Sequence, residues 1–210
     1  MRLGIVTTIL MGLMFVTACN DPAADQPKAT TGAATQASPQ QNVAGTKYVI
    51  TAQNSKVEFV GSKVTGSHNG SFQKFSGEID YAGAPERGRV SVTIDTDSIT
   101  ADDANLTKHL KTADFFDVAK FPQAKFVSTE IRPGGQGGAT HTITGNLTLH
   151  GVEKSVTFPA TINVTPDVAN VDASFSINRK DFGINYAGAQ DNLIRDNVVL
   201  TLTIRAAKAS

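Results

Sequence analysis

Tryptophan is absent from the 210-residue sequence, and cysteine occurs only once, at Cys19. A single cysteine excludes an intrachain disulfide, so the fold must be held together by packing alone. The sequence also lacks an excess of either charge, because 19 Lys and Arg residues face 19 Asp and Glu residues. Proteins that bind nucleic acid usually carry a basic surplus clustered on one face. We therefore expect no nucleic-acid partner.

Motifs for catalysis or metal binding are scarce. The four histidines are His68, His109, His141 and His150, and the nine-residue spacing of the last two would place them on opposite faces of a strand. The sequence contains no P-loop, no Gly-x-Ser-x-Gly and no dinucleotide-binding fingerprint. We expect no metal, no cofactor and no catalytic residues. One alternative stays open, in which His109 and the nearby Asp114 perform acid–base chemistry.

The first 18 residues have the pattern of a secretory signal. A basic start is followed by an apolar run from Leu3 to Val16, which is shorter than the roughly 20 residues that span a bilayer. Ala18 and Cys19 end this run and resemble the lipobox of bacterial lipoproteins, in which the cysteine becomes the lipidated N-terminus. This resemblance implies an acyl anchor at Cys19 in the cell envelope, facing the periplasm, whereas an ordinary signal peptide is the alternative. In enteric bacteria an Asp directly after the lipidated cysteine retains a lipoprotein at the inner membrane. The residue here is Asn20, so this rule favours the outer membrane.

Residues 19–46 are predicted to be the lipidated cysteine and a flexible tether. From residue 20 to 46 there is no Leu, Ile, Phe, Tyr or Met, and only one Val. Such a segment buries too little apolar surface to offset its ordering entropy. The remaining residues, 47–210, number 164 (210 − 46) and are enough for one domain with a real core.

Apolar and polar residues alternate along most of this domain, which is typical of strands with one buried face. In Arg89–Asp95, for example, Val90, Val92 and Ile94 share one face. The same alternation or a weaker form of it recurs at 48–52, 56–60, 72–81, 124–131, 143–149, 156–164, 171–177 and 198–204. Only Ala101–Thr112 breaks it, and Asp102 or Asp103 could cap a short helix there. We predict an all-β domain with one short inserted helix, either a sandwich or a barrel.

Three longer stretches resemble the YceI-like, polyisoprenoid-binding family. They are residues 109–129, which include His109–Asp117 and Phe121–Thr129, then Gly145–Lys154 and Phe175–Ile184. The resemblance covers essentially residues 47–210 and implies an extended antiparallel, lipocalin-like β-barrel with one helix. It also implies non-enzymatic binding, storage or local transfer of a long isoprenoid lipid of the quinone or polyprenyl phosphate type. An envelope enzyme acting on a lipid and a packed structural barrel without ligand remain the alternatives.

If the domain is such a barrel, its apolar strand faces should line the lumen. Phe115 and Phe116, together with Phe121, lie outside the alternating strands and should form a plug or a rim at one end. Ala173 is the small residue whose enlargement should narrow the lumen, and Arg179 and Asp181 should pair with each other or with neighbours. The predicted lipid-binding residues are Phe59, Val92, Phe115, Phe116, Phe126, Ile143, Leu147, Phe158, Ile162, Phe175, Ile177, Leu200 and Leu202.

Overall fold

The computed structural model describes residues 21–35, 45–189 and 192–210. The predicted signal peptide at 1–18 and Cys19 lie outside these residues. The strands are β1 (Thr30–Ala33), β2 (Thr46–Thr51), β3 (Lys56–Lys63), β4 (Gly66–Phe72), β5 (Phe75–Tyr81), β6 (Arg89–Asp95), β7 (Ile99–Ala101), β8 (Gln123–Pro133), β9 (His141–Leu149), β10 (Val152–Val164), β11 (Val168–Asn178), β12 (Gly188–Ala189), β13 (Asn192–Leu193) and β14 (Asn197–Lys208). The one α-helix of the described residues is α1 (Ala104–Leu110).

Eight strands close into an antiparallel barrel in the order β2, β5, β6, β8, β9, β10, β11 and β14. The ring closes because β14 pairs with β11 along one edge and with β2 at its far end. Along the rest of that second edge β14 pairs with β3, which continues into β4 and β7. The prediction of a lipocalin-like barrel with one short helix is confirmed.

The alternation read from the sequence places the core inside the barrel. On β11, Val171, Ala173, Phe175 and Ile177 are buried on the same face. Phe158 of β10 stacks on Phe175 with ring centroids 4.2 Å apart. Burying each such side chain contributes about 1.5–3 kcal/mol, so the inner face supplies most of the apolar stabilisation.

The helix α1 begins where the sequence predicts a cap. The side chain of Asp103 accepts a hydrogen bond from the backbone N–H of Leu106 at 2.7 Å, which satisfies one unpaired donor of the first turn. Asp102 instead accepts from the backbone N–H of Asn69 and contacts the ring of His68. The hydrogen bond from Asn69, and then the one from His68, lowers the pKa of Asp102. Among the described residues no helix is long and apolar enough to cross a membrane.

The prediction of a flexible tether over residues 19–46 is wrong for residues 21–35, which pack on the barrel. Strand β1 pairs antiparallel with Lys154–Thr157 of β10. The backbone N–H of Ala29 donates to the carbonyl of Ser176 on β11 at 2.8 Å, and that of Ser176 donates to the carbonyl of Pro27 at 2.9 Å. The segment therefore lies between β10 and β11 and hydrogen-bonds to both.

A gap between two strands explains this docking. β10 and β11 pair with each other only over Thr161–Val164 and Ala169–Asp172, and they diverge beyond. Their separated edges carry backbone groups that need partners, and the N-terminal segment provides them. The sequence argument counted apolar side chains alone, so it missed a segment that is held by backbone hydrogen bonds.

Hydrogen exchange tests this docking. We expect the amide of Ala29 to exchange slowly, because it donates to the carbonyl of a buried residue, Ser176. The measurement is amide hydrogen–deuterium exchange read by mass spectrometry on peptides that cover residues 27–33. Complete exchange of these peptides at the earliest time point would show that the segment is a tether after all.

Candidate functional site

The barrel contains an apolar cavity with a volume of about 220 Å³. Apart from Gly61, Ser62, Arg179 and Arg195, every residue lining it has a hydrophobic side chain. The volume exceeds the roughly 150 Å³ apolar cavity that suffices to hold benzene in another protein. The site is thus an apolar cavity and not a polar cleft.

A void of this size is costly in a protein without a ligand. Protein interiors are packed like organic crystals, with few voids larger than a water molecule. At roughly 24 cal/mol per Å³ of cavity, leaving about 220 Å³ empty forgoes about 5 kcal/mol of stability. A cavity of this size disagrees with the hypothesis of a fully packed structural barrel.

Twelve of the thirteen residues predicted to bind lipid line this cavity. Ile162 does not line it. It pairs with Val171 close to the β10–β11 turn and is only partly buried against the core. Ala173 is buried on the inner face but is also not among the lining residues. The twelve are Phe59, Val92, Phe115, Phe116, Phe126, Ile143, Leu147, Phe158, Phe175, Ile177, Leu200 and Leu202.

The lining contains further residues that were not predicted. Some continue the same alternating strand faces, so applying the pattern to every strand position would have found them: Val57, Ile79, Val90, Ile94, Leu149, Val156, Val171, Val198 and Ile204. Leu110, Ile184 and Ile194 come instead from α1 and from the irregular segment before β14. The period-two pattern of the strands marks none of these three, because their positions depend on how the helix and the loops fold over the barrel.

Phe115 and Phe116 line the cavity beside the loop that carries Tyr186, and Phe121 does not join them. Phe116 packs edge-on against Phe72 with ring centroids 5.7 Å apart, and Phe115 lies 5.3 Å from the ring of Tyr186. Phe121 packs against the ring of His150 at 4.6 Å and does not line the cavity. The predicted plug or rim therefore involves two of the three phenylalanines at most.

A buried arginine fixes loops that line the cavity. The guanidinium of Arg179 donates to the backbone carbonyls of Ile184 at 2.7 Å, Arg195 at 3.1 Å and Ile194 at 3.4 Å. Burial lowers the pKa of Arg179, and the carboxylate of Asp196, 3.6 Å away, opposes that shift. Arg179 therefore pairs with neighbours, as predicted, and it holds in place three residues that line the cavity.

Asp181, the other member of the predicted pair, faces the N-terminal segment. Its carboxylate accepts a hydrogen bond from the hydroxyl of Thr31 at 2.6 Å. Asp181 thus helps to fix β1 against the barrel instead of pairing with Arg179.

The candidate for acid–base chemistry lies outside the cavity. Nε2 of His109 is 2.7 Å from a carboxylate oxygen of Asp114, and its ring packs edge-on against Phe115 and Tyr186. His109 does not line the cavity, so a lipid held inside would not contact it. Among residues 21–35, 45–189 and 192–210, no group of three or more His, Cys, Asp or Glu side chains is arranged to hold a metal ion.

Comparisons with known proteins agree with this architecture. A UPF0312 protein of Pseudomonas putida (strain W619) is 41% identical over 128 residues, which are 58% of this chain and 66% of that relative. The chain thus spans about two thirds of that relative's length. The crystal structure of BcnA from Burkholderia cenocepacia matches with a TM-score of 0.64 at 27% identity, over 75% of this chain and 99% of that one.

A second structural neighbour shares the fold at lower identity. It is described as a polyisoprenoid binding domain from Saccharophagus degradans implicated in plant cell wall breakdown. It matches with a TM-score of 0.62 at 18% identity, over 77% of this chain and 98% of that one. The family model of the YceI-like domain matches residues 48–206, which are nearly the whole barrel. The chain therefore belongs to the YceI-like family.

Proposed function

We propose that this barrel binds one long isoprenoid lipid in its cavity and stores it or transfers it locally, without chemical change. The observation that carries the proposal is the hydrophobic lining of the cavity, which extends from the Phe158–Phe175 stack to Phe115 and Phe116. Such a lining recognises a chain by its apolar surface alone. The description of the Saccharophagus degradans neighbour as polyisoprenoid binding supports an isoprenoid over other chains.

The tail supplies the affinity in this proposal. Each buried CH₂ group contributes about 0.8 kcal/mol, so one five-carbon isoprene unit contributes about 4 kcal/mol before costs. Association itself costs at least about 4 kcal/mol. Two or more buried units are therefore needed for net binding, and quinones or polyprenyl phosphates with long tails meet that need.

A pair of ligands that differ only in the tail tests this function. The detergent-washed protein is mixed with a quinone bearing eight isoprene units or with the same quinone head group without a tail. Because a ligand stabilises the state that it binds, the tailed quinone should raise the melting temperature and the head group alone should not. Equal shifts with both compounds, or no shift with the tailed one, would contradict tail-driven binding.

We also propose that Cys19 anchors the protein to a membrane of the bacterial envelope through acyl chains, with the barrel facing the periplasm. The lipobox-like order of an apolar run, Ala18 and Cys19 supports this. Two or more acyl chains give stable anchoring, whereas one chain gives marginal binding.

Replacing the cysteine tests the anchor. Cys19→Ser should move the protein from the membrane fraction to the soluble fraction, because serine cannot receive the thioether-linked lipid. The measurement is fractionation of cells by ultracentrifugation, followed by immunoblotting. A Cys19→Ser chain that sediments with membranes as fully as the wild type would refute the anchor.

A further inference from the structure

Exposed apolar side chains gather at one end of the barrel. In the part of the chain that the structure describes, the large hydrophobic residues that are exposed are Val49, Val64, Tyr186 and Leu193. The backbone N–H of Val64 donates to the carbonyl of Leu193 at 3.1 Å, so these two residues are neighbours. Tyr186 lies on the adjoining loop, which is tied to the same segment through a hydrogen bond from Ile194 to Ala187 at 3.0 Å. We call Val64, Tyr186 and Leu193 the apolar end.

The cavity reaches this same end. Gly61 lines the cavity three residues before Val64, Ile184 does so two residues before Tyr186, and Ile194 directly follows Leu193. Each loop therefore turns one residue inward to the cavity and another outward to solvent. A hydrophobic chain leaving the cavity between these loops would meet the apolar end first.

The N-terminus approaches the barrel at this end too. The carboxylate of Asp21 lies 3.3 Å from the guanidinium of Arg195, which is two residues from Leu193. Cys19 precedes Asp21 by two residues, and two residues span at most about 7 Å. An acyl chain attached at Cys19 would therefore enter the membrane close to the apolar end.

Because residues 21–35 pack on the barrel, Asp21 stays next to the apolar end. Strand β1 is paired with β10, and Thr31 is hydrogen-bonded to Asp181. A free tether would let the barrel turn in any direction relative to the membrane. A docked segment leaves only the few residues between Asp21 and the anchor to turn.

We propose that the apolar end docks on the lipid bilayer that holds the N-terminus, so that the cavity faces the membrane that supplies and receives its cargo. This inference rests on the proposed lipid binding and on membrane attachment of the N-terminus. Single exposed apolar residues are ordinary on protein surfaces, but a group that surrounds the end of an apolar cavity beside a membrane anchor fits a bilayer surface. Direct contact would let an isoprenoid chain pass between bilayer and barrel without crossing water.

Spin labels test the orientation on the full-length protein extracted from membranes and reconstituted into vesicles of phosphatidylethanolamine and phosphatidylglycerol. Val64→Cys and Leu193→Cys carry the label at the apolar end. Val49→Cys is the matched control, because Val49 is 43% exposed and Val64 is 44% exposed. Val49 pairs with Ala207, ten residues along β14 from its start and thus about 33 Å towards the other end of the barrel. Wild-type protein treated in the same way controls for labelling of Cys19.

If the apolar end docks, the labels at positions 64 and 193 should collide less often with a water-soluble nickel chelate, and more often with oxygen, than the label at position 49. The label at position 49 should stay accessible to the chelate. Equal access of the chelate to all three positions would overturn the docking. Lipid content is measured on the same samples. If the protein contains lipid but the label at position 64 is exposed to water, docking is refuted and lipid binding is not. If the protein contains no lipid but the label at position 64 lies in the bilayer, lipid binding is refuted and docking is not.

Discussion

Gly61→Leu is expected to remove most of the copurified lipid while leaving the barrel at least as stable as the wild type. Gly61 lines the cavity, and a Cβ atom built at this position has no other atom within 4 Å. Gly61 follows Val57 and Phe59 at alternate positions of β3, and all three line the cavity, so we expect a leucine side chain there to extend into the cavity without a clash. Losing room for one isoprene unit removes about 4 kcal/mol of binding, which corresponds to roughly a thousandfold in affinity.

The control is Gly66→Leu in the same β3–β4 hairpin. Gly66 is exposed, does not line the cavity and also has no atom within 4 Å of a built Cβ. This variant should keep its lipid. Lipid content is measured by extraction and mass spectrometry, and stability by thermal unfolding. Gly61→Leu protein that retains lipid at the wild-type ratio would show that the cargo does not occupy this part of the cavity.

Arg179→Met is expected to lower the melting temperature by about 10 °C, the largest stability effect that we anticipate from a single substitution. Arg179 is only 5% exposed, and its removal leaves three backbone carbonyls without the guanidinium that donates to them. Breaking such a buried interaction costs roughly 3–5 kcal/mol. In a protein of this size each kcal/mol shifts the melting temperature by roughly 2–4 °C.

Arg132→Met is the matched control. The side chain of Arg132 is 63% exposed and pairs only with the exposed Glu130, an arrangement worth less than about 1 kcal/mol. Its melting temperature should stay within about 2 °C of the wild type. A fall of equal size in both variants, measured by calorimetry, would mean that Arg179 has no special structural role.

Much of the fold is readable from the sequence because an antiparallel barrel with one apolar face leaves a period-two pattern. Val92, Phe126 and Phe175 each lie on such a face, and each lines the cavity. The pattern predicts whether a side chain points into the barrel, but it does not predict the position of that side chain along the barrel axis. Ile162 and Ala173 share the inner face and yet do not line the cavity, which is why Gly61 is a better position than Ala173 for narrowing it.

Other features depend on contacts between distant segments and leave no local pattern. Ile184 and Ile194 reach the cavity because Arg179 binds their carbonyls. The spacing of these residues in the sequence does not predict that contact. The docking of residues 21–35 was missed for a related reason. Backbone groups of Ala29 and Pro27 make part of its hydrogen bonds, and nearly every residue type offers such groups. The side-chain contact of Thr31 with Asp181 joins residues 150 positions apart.

The central claim is that the barrel carries a single long isoprenoid chain, and the lipid that copurifies with the full-length protein tests it most directly. The protein is purified from its native host, extracted with organic solvent and analysed by quantitative mass spectrometry, with the Gly61→Leu protein processed in parallel. We expect close to one polyisoprenoid molecule per wild-type chain and a large loss of it from Gly61→Leu. A wild-type extract without polyisoprenoid, or one in which diacyl lipids occupy both proteins equally, would contradict the account.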